Sequence, residues 1–299
     1  MPEIFPRFRR KFFQDSSWLS TPTRRTVFSR LCRNEGWWAM STETVKFQAH
    51  LQRGGLGLEE MKRLLLAFAE LGDVDEVTKR ALRENLLGKT SGWMVKDMLY
   101  AFRRRFLSDS GLPPADLIAL FLKGRVSEVA KNQVLFPYFV VTDPLVERCY
   151  RDLVLSRISN PGQLTKEDVR AYLEELSAHH PELAKWSEEL RRRWSRGFLT
   201  LLRRFGLMER SPGKGLKRLW LLPEPFAFFW FWFWERGGSF WFAAEQTLWE
   251  LLQVNRQQME ELLVEGRLRG WWSYQRSGRI VEFQPRFLVL WEWLENALG

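Results

Sequence analysis

The first half of the chain is dominated by apolar residues that recur at the spacing of one helical face. In LEEMKRLLLAFAEL, the residues Met61, Leu65 and Phe68 fall on one side of a helix, and Gly72 ends that helix. A second helix is expected from about Asp75, whose side chain can cap the free amides at its start. Similar patterns predict further helices in WMVKDMLYAFRRRFL, PADLIALFLKG, VSEVAKNQVLFPYFVV and DPLVERCYRDLVLSRI. The short connections between these helices favour a helical bundle that extends to about residue 158.

After residue 158 the predicted helices are followed by short strand-like runs. LTKEDVRAYLEEL is typical of a helix capped by Thr165, and a long helix follows from Glu188 to Phe205 and ends at Gly206. Two strand-like runs then flank the sequence SPGKG. Two helices followed by a hairpin are the order of elements in a winged helix.

The same order of elements returns at the end of the chain. FAAEQTLWELL and NRQQMEELLVEG are predicted helices, the second capped by Asn255, and LRGWWSY and RIVEFQP form a predicted hairpin joined through QRSG. We therefore predict a mainly α fold in which an N-terminal helical bundle precedes one or two winged-helix-like modules with short β-hairpins. Two unrelated helix–hairpin junctions are the alternative. The expected domains are a basic N-terminal arm (1–20), a helical bundle domain (21–158), a winged-helix-like module (159–222) and an aromatic-rich C-terminal winged-helix-like module (223–299).

Eight of the nine residues from Phe226 to Trp234 are aromatic. A nine-residue helix is about 14 Å long, under half of a roughly 30 Å hydrocarbon layer, and charged residues flank the run, so we expect no membrane span. Stacking on bases requires rings on a basic surface, whereas the nearest cation here is Arg236, past the end of the run. We expect these side chains to fill the core or an interdomain contact, with a protein-partner surface as the alternative.

Positive charge is concentrated in two parts of the chain, which has a formal net charge of +10. Residues 1–30 contain seven Lys and Arg against two acidic residues, and residues 187–220 contain ten against three. Such concentrations favour a polyanionic partner, and nucleic acid in particular. The basic start PRFRRKFF runs into polar QDSS without the apolar stretch of a signal peptide, which favours a cytoplasmic protein.

The predicted helix from Glu188 to Phe205 keeps its apolar side and its charge apart. At about 100° per residue, three arginines lie opposite the apolar side that carries Trp194 and Phe198. Guanidinium groups in such a row can pair with successive phosphates or with guanine edges in a major groove. The alternative interpretation is a basic helical face that is only solvated. The predicted DNA-contacting residues are these arginines together with cations of the following hairpin, the N-terminal arm and the last hairpin: Arg192, Arg196, Arg203, Lys214, Lys217, Arg218, Arg9, Arg10, Arg276 and Arg279.

Catalytic and metal-binding motifs are not recognisable in the sequence. The segment 88–91, Gly-Lys-Thr-Ser, is similar to the end of a phosphate-binding loop but lacks the glycine that this motif requires five positions earlier. His179 and His180 have neither an HExxH pattern nor cysteine partners, and Cys32 and Cys149 are the only cysteines. We therefore predict a protein that is not an enzyme and needs no cofactor.

Several segments resemble the BrxA family, accessory proteins of BREX bacteriophage-exclusion systems. The resemblance covers about residues 28–210 and rests on ALRENLLGKTSGWMVKDMLYAFRRRF, LTKEDVRAYLEEL and KWSEELRRRWSRGFLTLLRRFGLME. The aromatic segment after Pro225 and the basic N-terminal arm depart from the family pattern. The resemblance implies a helical, non-enzymatic DNA-binding protein that acts beside a methyltransferase and other components of a phage-defence operon.

The charge pattern and the resemblance lead to the same expected function. We predict a cytoplasmic accessory protein that binds double-stranded DNA, with other proteins of a phage-defence operon as further partners. An RNA-binding helical protein is one alternative. A scaffold that binds proteins through its aromatic C-terminal region is the other.

Overall fold

The structure, a computed structural model, describes residues 46–52, 57–159 and 162–299. Its first part contains helices with short connections, as the apolar pattern predicts. Their bounds are α1 Leu58–Leu71, α2 Val74–Arg83, α3 Gly92–Phe106, α4 Ala115–Lys123, α5 Glu128–Val141 and α6 Pro144–Leu153. Helix α2 is capped by Asp73, whose carboxylate accepts the N–H groups of Asp75 and Glu76. The expectation of a cap at Asp75 was wrong because the helix starts one residue earlier, at Val74, and Asp75 already lies in its first turn.

The second group of elements contains three helices, the middle one only a single turn long, followed by a narrow hairpin. The helices are α7 Lys166–Ser177, α8 Pro181–Ala184 and α9 Glu188–Arg204. Thr165 caps α7 as predicted, and it forms a reciprocal pair of hydrogen bonds with Asp168. After α9 the chain turns back on itself. The Glu209 N–H donates to Gly215 O, the Lys217 N–H donates to Leu207 O, and the Leu164 N–H donates to Lys214 O, so three short extended segments pair side by side.

The last part of the chain has helices followed by a hairpin as predicted, but the single helix expected over FAAEQTLWELL is two short helices, and a further helix follows the hairpin. Its elements are α10 Pro223–Gly237, α11 Phe240–Ala244, α12 Leu248–Leu251, α13 Arg256–Leu268, β1 Trp272–Ser277, β2 Ile280–Pro285 and α14 Leu290–Ala297. Asn255 caps α13, as expected. The antiparallel register pairs Trp272 with Pro285 and Ser277 with Ile280, which leaves a two-residue turn containing Gly278 at a positive φ of 60°. The mainly α prediction and the predicted C-terminal hairpin are confirmed.

The aromatic run forms the buried centre of this last part. From Phe226 to Phe233 every side chain is at most 6% exposed, because α10 is packed on all sides. The Trp230 ring lies 5.4 Å from the rings of both Phe240 and Phe283, measured between centroids, and Phe228 contacts Phe121 of α4. The interpretation of the run as core is therefore confirmed. No helix among the described residues is both long and apolar enough to cross a bilayer.

Residues 46–299 pack as one unit. The predicted domain boundaries at 158/159 and 222/223, and the assignment of the helix–hairpin groups to the winged-helix class, stay predictions. The predicted basic arm at 1–20 lies outside the described residues.

Candidate nucleic-acid interface

Helix α9 is oriented by an apolar side that is almost entirely removed from solvent. Trp194, Phe198, Leu201 and Leu202 are all 0% exposed. The rings of Trp194 and Phe198 stack with 5.5 Å between their centroids and 8° between their planes. This packing fixes the rotation of the helix about its axis, so the opposite side must face outwards.

Three exposed arginines on α9 surround a single carboxylate. Glu189 Oε2 lies 2.5 Å from an Nη of Arg192, and Glu189 Oε1 lies 2.7 Å from Nε of Arg193 and 3.9 Å from an Nη of Arg196. The hydrogen bonds from Arg193 and Arg192 lower the pKa of Glu189 below its ordinary value. One negative charge among three guanidinium groups leaves the cluster with a net charge of +2, and all three arginines are exposed.

Arg193 belongs to this cluster although the helical-face argument omitted it. Arg193 lies about 100° around the helix from Arg192, so it falls outside the row of arginines on the side opposite the apolar residues. The spacing of Glu189 to Arg193, four residues along one helix, was the signal that could have revealed it.

Arg203 uses its guanidinium group to hold the hairpin that follows α9. Its Nε donates to Glu209 O and its Nη2 donates to Gly213 O, both at 3.2 Å. The Glu209 carboxylate in turn accepts the Gly215 N–H at 3.1 Å. The predicted contact residue Arg203 thus ties the turn of the hairpin to the last turn of α9 and places the neighbouring Lys214.

The remaining predicted residues of this region lie on the hairpin and on the segment that leaves it. Lys214 and Lys217 are exposed, and neither forms an ion pair within the described parts of the chain. Lys214 contributes to lowering the pKa of Asp168, after the larger effect of the hydrogen bond from the Thr165 N–H. Arg218 is half-buried, and its guanidinium carbon lies 5.1 Å from the centre of the Trp220 ring.

The last predicted pair lies on the C-terminal hairpin, in a different environment. Arg276 donates to Glu260 Oε2 at 2.9 Å, and the Tyr274 hydroxyl donates to the other oxygen of Glu260 at 2.7 Å. Burial and this carboxylate raise the pKa of Tyr274 to about 12. Arg279 is exposed in the hairpin turn. Arg192, Arg196, Arg203, Lys214 and Lys217 therefore lie on α9 and the hairpin that follows it, whereas Arg276 and Arg279 belong to a separate hairpin.

Arg9 and Arg10, also predicted to contact DNA, lie outside the described residues. Among the residues that are described, no cluster of three or more His, Cys, Asp and Glu side chains could hold a metal ion. Cys149 is buried, and its burial raises the pKa of the thiol well above its ordinary value, so the thiolate is disfavoured.

These features define a mainly helical protein with an outward-facing basic helix and hairpin. The model of the BrxA family matches residues 45–229, a range that includes α1 to α9 and the first hairpin, and the chain belongs to the BrxA family. Membership implies an accessory protein of a BREX system. No curated protein matches the chain.

The fold is similar to that of a solved structure. It is the crystal structure of an uncharacterized protein from Magnetospirillum magneticum, with a TM-score of 0.52 and 13% sequence identity. The similarity covers 71% of this chain and 100% of that chain. At this level of identity the likeness concerns the fold alone.

Proposed function

We propose that this BREX accessory protein acts in the cytoplasm by binding double-stranded DNA through α9 and the hairpin that follows it. The observation that carries the proposal is the cluster of Arg192, Arg193 and Arg196 around Glu189, with its net charge of +2 on an exposed helical side. Surface ion pairs contribute little to stability, so a surplus of guanidinium groups at this position has little value for the fold itself. The surplus of guanidinium groups instead favours the binding of a polyanion.

The geometry of α9 suits duplex DNA. The major groove of B-form DNA is about 12 Å wide and admits an α-helix, whereas the major groove of A-form RNA is too deep and narrow for side chains to read. An arginine on such a helix can form paired hydrogen bonds with a phosphate or with the edge of a guanine. Helix α9 is therefore proposed to lie in the groove with its arginines towards the DNA.

The hairpin extends the basic surface beyond the helix. Arg203 fixes the hairpin turn through the carbonyls of Glu209 and Gly213, and this brings Lys214 and Lys217 out beside the end of α9. Lysine side chains at such a position suit the phosphates that flank the groove, as in winged-helix proteins. Phosphate contacts set the position of the protein on the duplex, and they carry no sequence information by themselves. We propose binding with little sequence preference and no catalytic step.

The salt dependence of binding tests the proposal. About five phosphate contacts, from Arg192, Arg193, Arg196, Lys214 and Lys217, predict a slope of about −4.5 for the logarithm of affinity against the logarithm of salt concentration. Affinity for a short duplex DNA should then fall about 500-fold between 50 and 200 mM salt. The measurement is fluorescence anisotropy with the full chain at four or more salt concentrations.

The same titrations with duplex RNA and single-stranded DNA of equal length serve as controls. Tighter binding to duplex RNA would replace the proposal by the RNA-binding alternative. Absence of binding at 50 mM salt, together with co-purification of proteins from the same operon, would favour the scaffold alternative.

A further inference from the structure

Trp220 exposes its ring to solvent between two deeply buried neighbours. The residue is 62% exposed, whereas Leu219 and Leu221 are each 4% exposed. The alternation follows from an extended backbone, in which successive side chains point to opposite sides. Most tryptophans on the described part of α9 to α14 are buried, including Trp194, Trp230 and Trp293 at 0%. Packing of the core therefore does not explain why this rigid segment exposes an indole, and a binding contact would explain it.

Glutamine side chains hold the backbone around Trp220 in place. Gln133 Nε2 donates to Trp220 O at 2.7 Å, and Gln133 Oε1 accepts the Leu222 N–H at 2.9 Å. Gln253 Oε1 accepts the Leu219 N–H at 2.7 Å. Both glutamines are 5% exposed, so these hydrogen bonds are protected from competing water. A ring presented on so fixed a backbone loses little conformational entropy when it binds something.

The position of Trp220 places it beside both helix–hairpin groups. The hairpin after α9 ends its pairing at Lys217, whose N–H donates to Leu207 O at 2.8 Å, and Trp220 follows three residues later. Three extended residues span about 10 Å, roughly three base-pair steps of B-form DNA. On the other side, Gln258 in the first turn of α13 accepts the Leu221 N–H at 3.2 Å, in the amide orientation that satisfies its neighbours.

One cationic group lies against the exposed ring, and two others are exposed on the adjoining elements. The guanidinium group of Arg218 lies 5.1 Å from the centre of the Trp220 ring, Lys217 is exposed at the end of the hairpin, and Arg256 is exposed at the start of α13. An exposed aromatic ring on a basic surface is the combination that proteins use to stack on nucleic-acid bases, since the ring meets the face of the base while nearby cations meet the adjoining phosphates.

We propose that Trp220 stacks on an unpaired or unstacked base, so that the protein prefers DNA with an extrahelical base over fully paired DNA. This inference rests on the proposed binding of DNA by α9 and its hairpin. Every base offers a π-face, so the contact adds affinity without requiring a particular sequence. Arg218 orients the indole and lies beside the phosphate of the stacked base.

The test compares two DNA duplexes and four variants of the full chain. One duplex is fully paired, and the other contains a single extrahelical adenine. The parent should bind the second duplex more tightly. Trp220→Ala and Trp220→Leu should each lose about 5- to 150-fold in affinity for the duplex with the extrahelical adenine, the range measured when one base-stacking ring is removed, and much less for the paired duplex. Trp220→Phe should retain most of the affinity because it keeps a ring.

Trp241→Ala is the matched control, since Trp241 is 51% exposed and lies outside this segment. It should bind both duplexes as the parent does. The salt slope of Trp220→Ala should equal that of the parent, because no phosphate contact is removed.

The outcomes separate this inference from the proposed function. A parent that binds neither duplex would overturn both. A parent that binds DNA with a steep salt slope, but whose Trp220→Ala and Trp220→Leu variants bind both duplexes unchanged, would overturn the stacking inference alone. Equal losses of affinity for both duplexes would also overturn the stacking inference. Unchanged DNA binding together with the loss of a co-purifying protein would overturn it in favour of a protein contact at Trp220.

Discussion

The two helix–helix–hairpin groups of this protein share an order of elements but differ in their charge. Helix α9 carries six arginines against two glutamates, whereas α13 carries two arginines against three glutamates. Two cations near α13 are also paired with acids, since Arg276 pairs with Glu260 and Arg269 pairs with Glu265 and Glu224. On α9 three arginines share one glutamate. The first group therefore has more charge to spare for a polyanion than the second.

The difference also extends to the core. The second group packs around the aromatic run of α10, where Trp272 of β1 and Trp249 of α12 meet Phe226 and Trp230. The order of helices and hairpin therefore does not by itself identify a binding surface. The balance of charges on the outward side is the better guide, and on that ground we propose the first group as the binding element and regard the second as mainly a packing element.

The largest expected effect comes from a charge in the aromatic core of the second group. Trp230→Asp should destabilise the fold by at least about 4 kcal/mol, because it removes a large buried ring and leaves an unpaired carboxylate among aromatic side chains. Trp230 is a better site than Trp232, since the guanidinium group of Arg236 lies on the Trp232 ring and could pair with a new carboxylate. Urea denaturation measures the change. Trp230→Phe should cost much less, and a Trp230→Asp variant as stable as the parent would show that α10 is not the core of the second group.

A smaller effect is expected where the second group is joined to the rest of the chain. Gln253 precedes α13, donates to the Tyr150 hydroxyl at 2.9 Å and accepts the Leu219 N–H. Gln253→Ala leaves that buried N–H without a partner and should lower the free energy of unfolding by about 2 kcal/mol. Thermal or urea denaturation measures the change. Gln257→Ala is the control, because Gln257 is exposed and bonds only Glu261 on its own helix, so its loss should stay within about 0.5 kcal/mol. Equal costs for the two variants would refute the role given to Gln253.

The smallest stability effect separates the two hairpins. Arg203→Ala removes two hydrogen bonds to the carbonyls of the first hairpin, and exposed carbonyls can bind water instead, so we expect a cost of about 1 kcal/mol. Hydrogen exchange should show faster exchange of the Glu209 and Lys217 N–H groups, and affinity for duplex DNA should fall because Lys214 is no longer held in place. Arg276→Ala should have a smaller effect on DNA affinity, since Glu260 already neutralises that guanidinium group. A larger loss of DNA affinity in Arg276→Ala than in Arg203→Ala would reverse the comparison.

Local sequence patterns predicted the features that local forces decide. The rotation of α9 followed from the spacing of Trp194 and Phe198, and the burial of α10 followed from a run too short for a membrane and too apolar for a surface. The caps at Thr165 and Asn255 followed from side chains next to their helices.

The features that sequence could not predict depend on contacts between distant residues. Arg203 bonds carbonyls whose position is set only when the hairpin folds back onto α9. The exposure of Trp220 depends on Gln133, which is 87 residues away in the chain. Periodicity assigns a residue to a side of its own element, but it does not determine which other element covers that side.

A charge reversal on α9, measured against a control variant on α2, decides whether the outward side of α9 binds DNA. Arg192→Glu/Arg196→Glu and Arg80→Glu/Arg83→Glu each replace two helical arginines, all exposed apart from the half-buried Arg80, and each lowers the formal net charge by four, from +10 to +6. Arg80 and Arg83 lie on α2, where Arg80 pairs with Glu70 and Glu84. Melting temperatures are recorded for both variants. Each substitution of an exposed arginine should lower the free energy of unfolding by no more than about 0.5 kcal/mol.

The decisive quantity is the salt slope of affinity for duplex DNA. For Arg192→Glu/Arg196→Glu we expect a slope smaller in magnitude by about 1.8, because two phosphate contacts are lost, and an affinity at 50 mM salt that is at least about tenfold lower. The α2 variant should keep the slope of the parent. A folded Arg192→Glu/Arg196→Glu variant with the slope and affinity of the α2 variant would contradict the account and remove α9 from the DNA-binding surface.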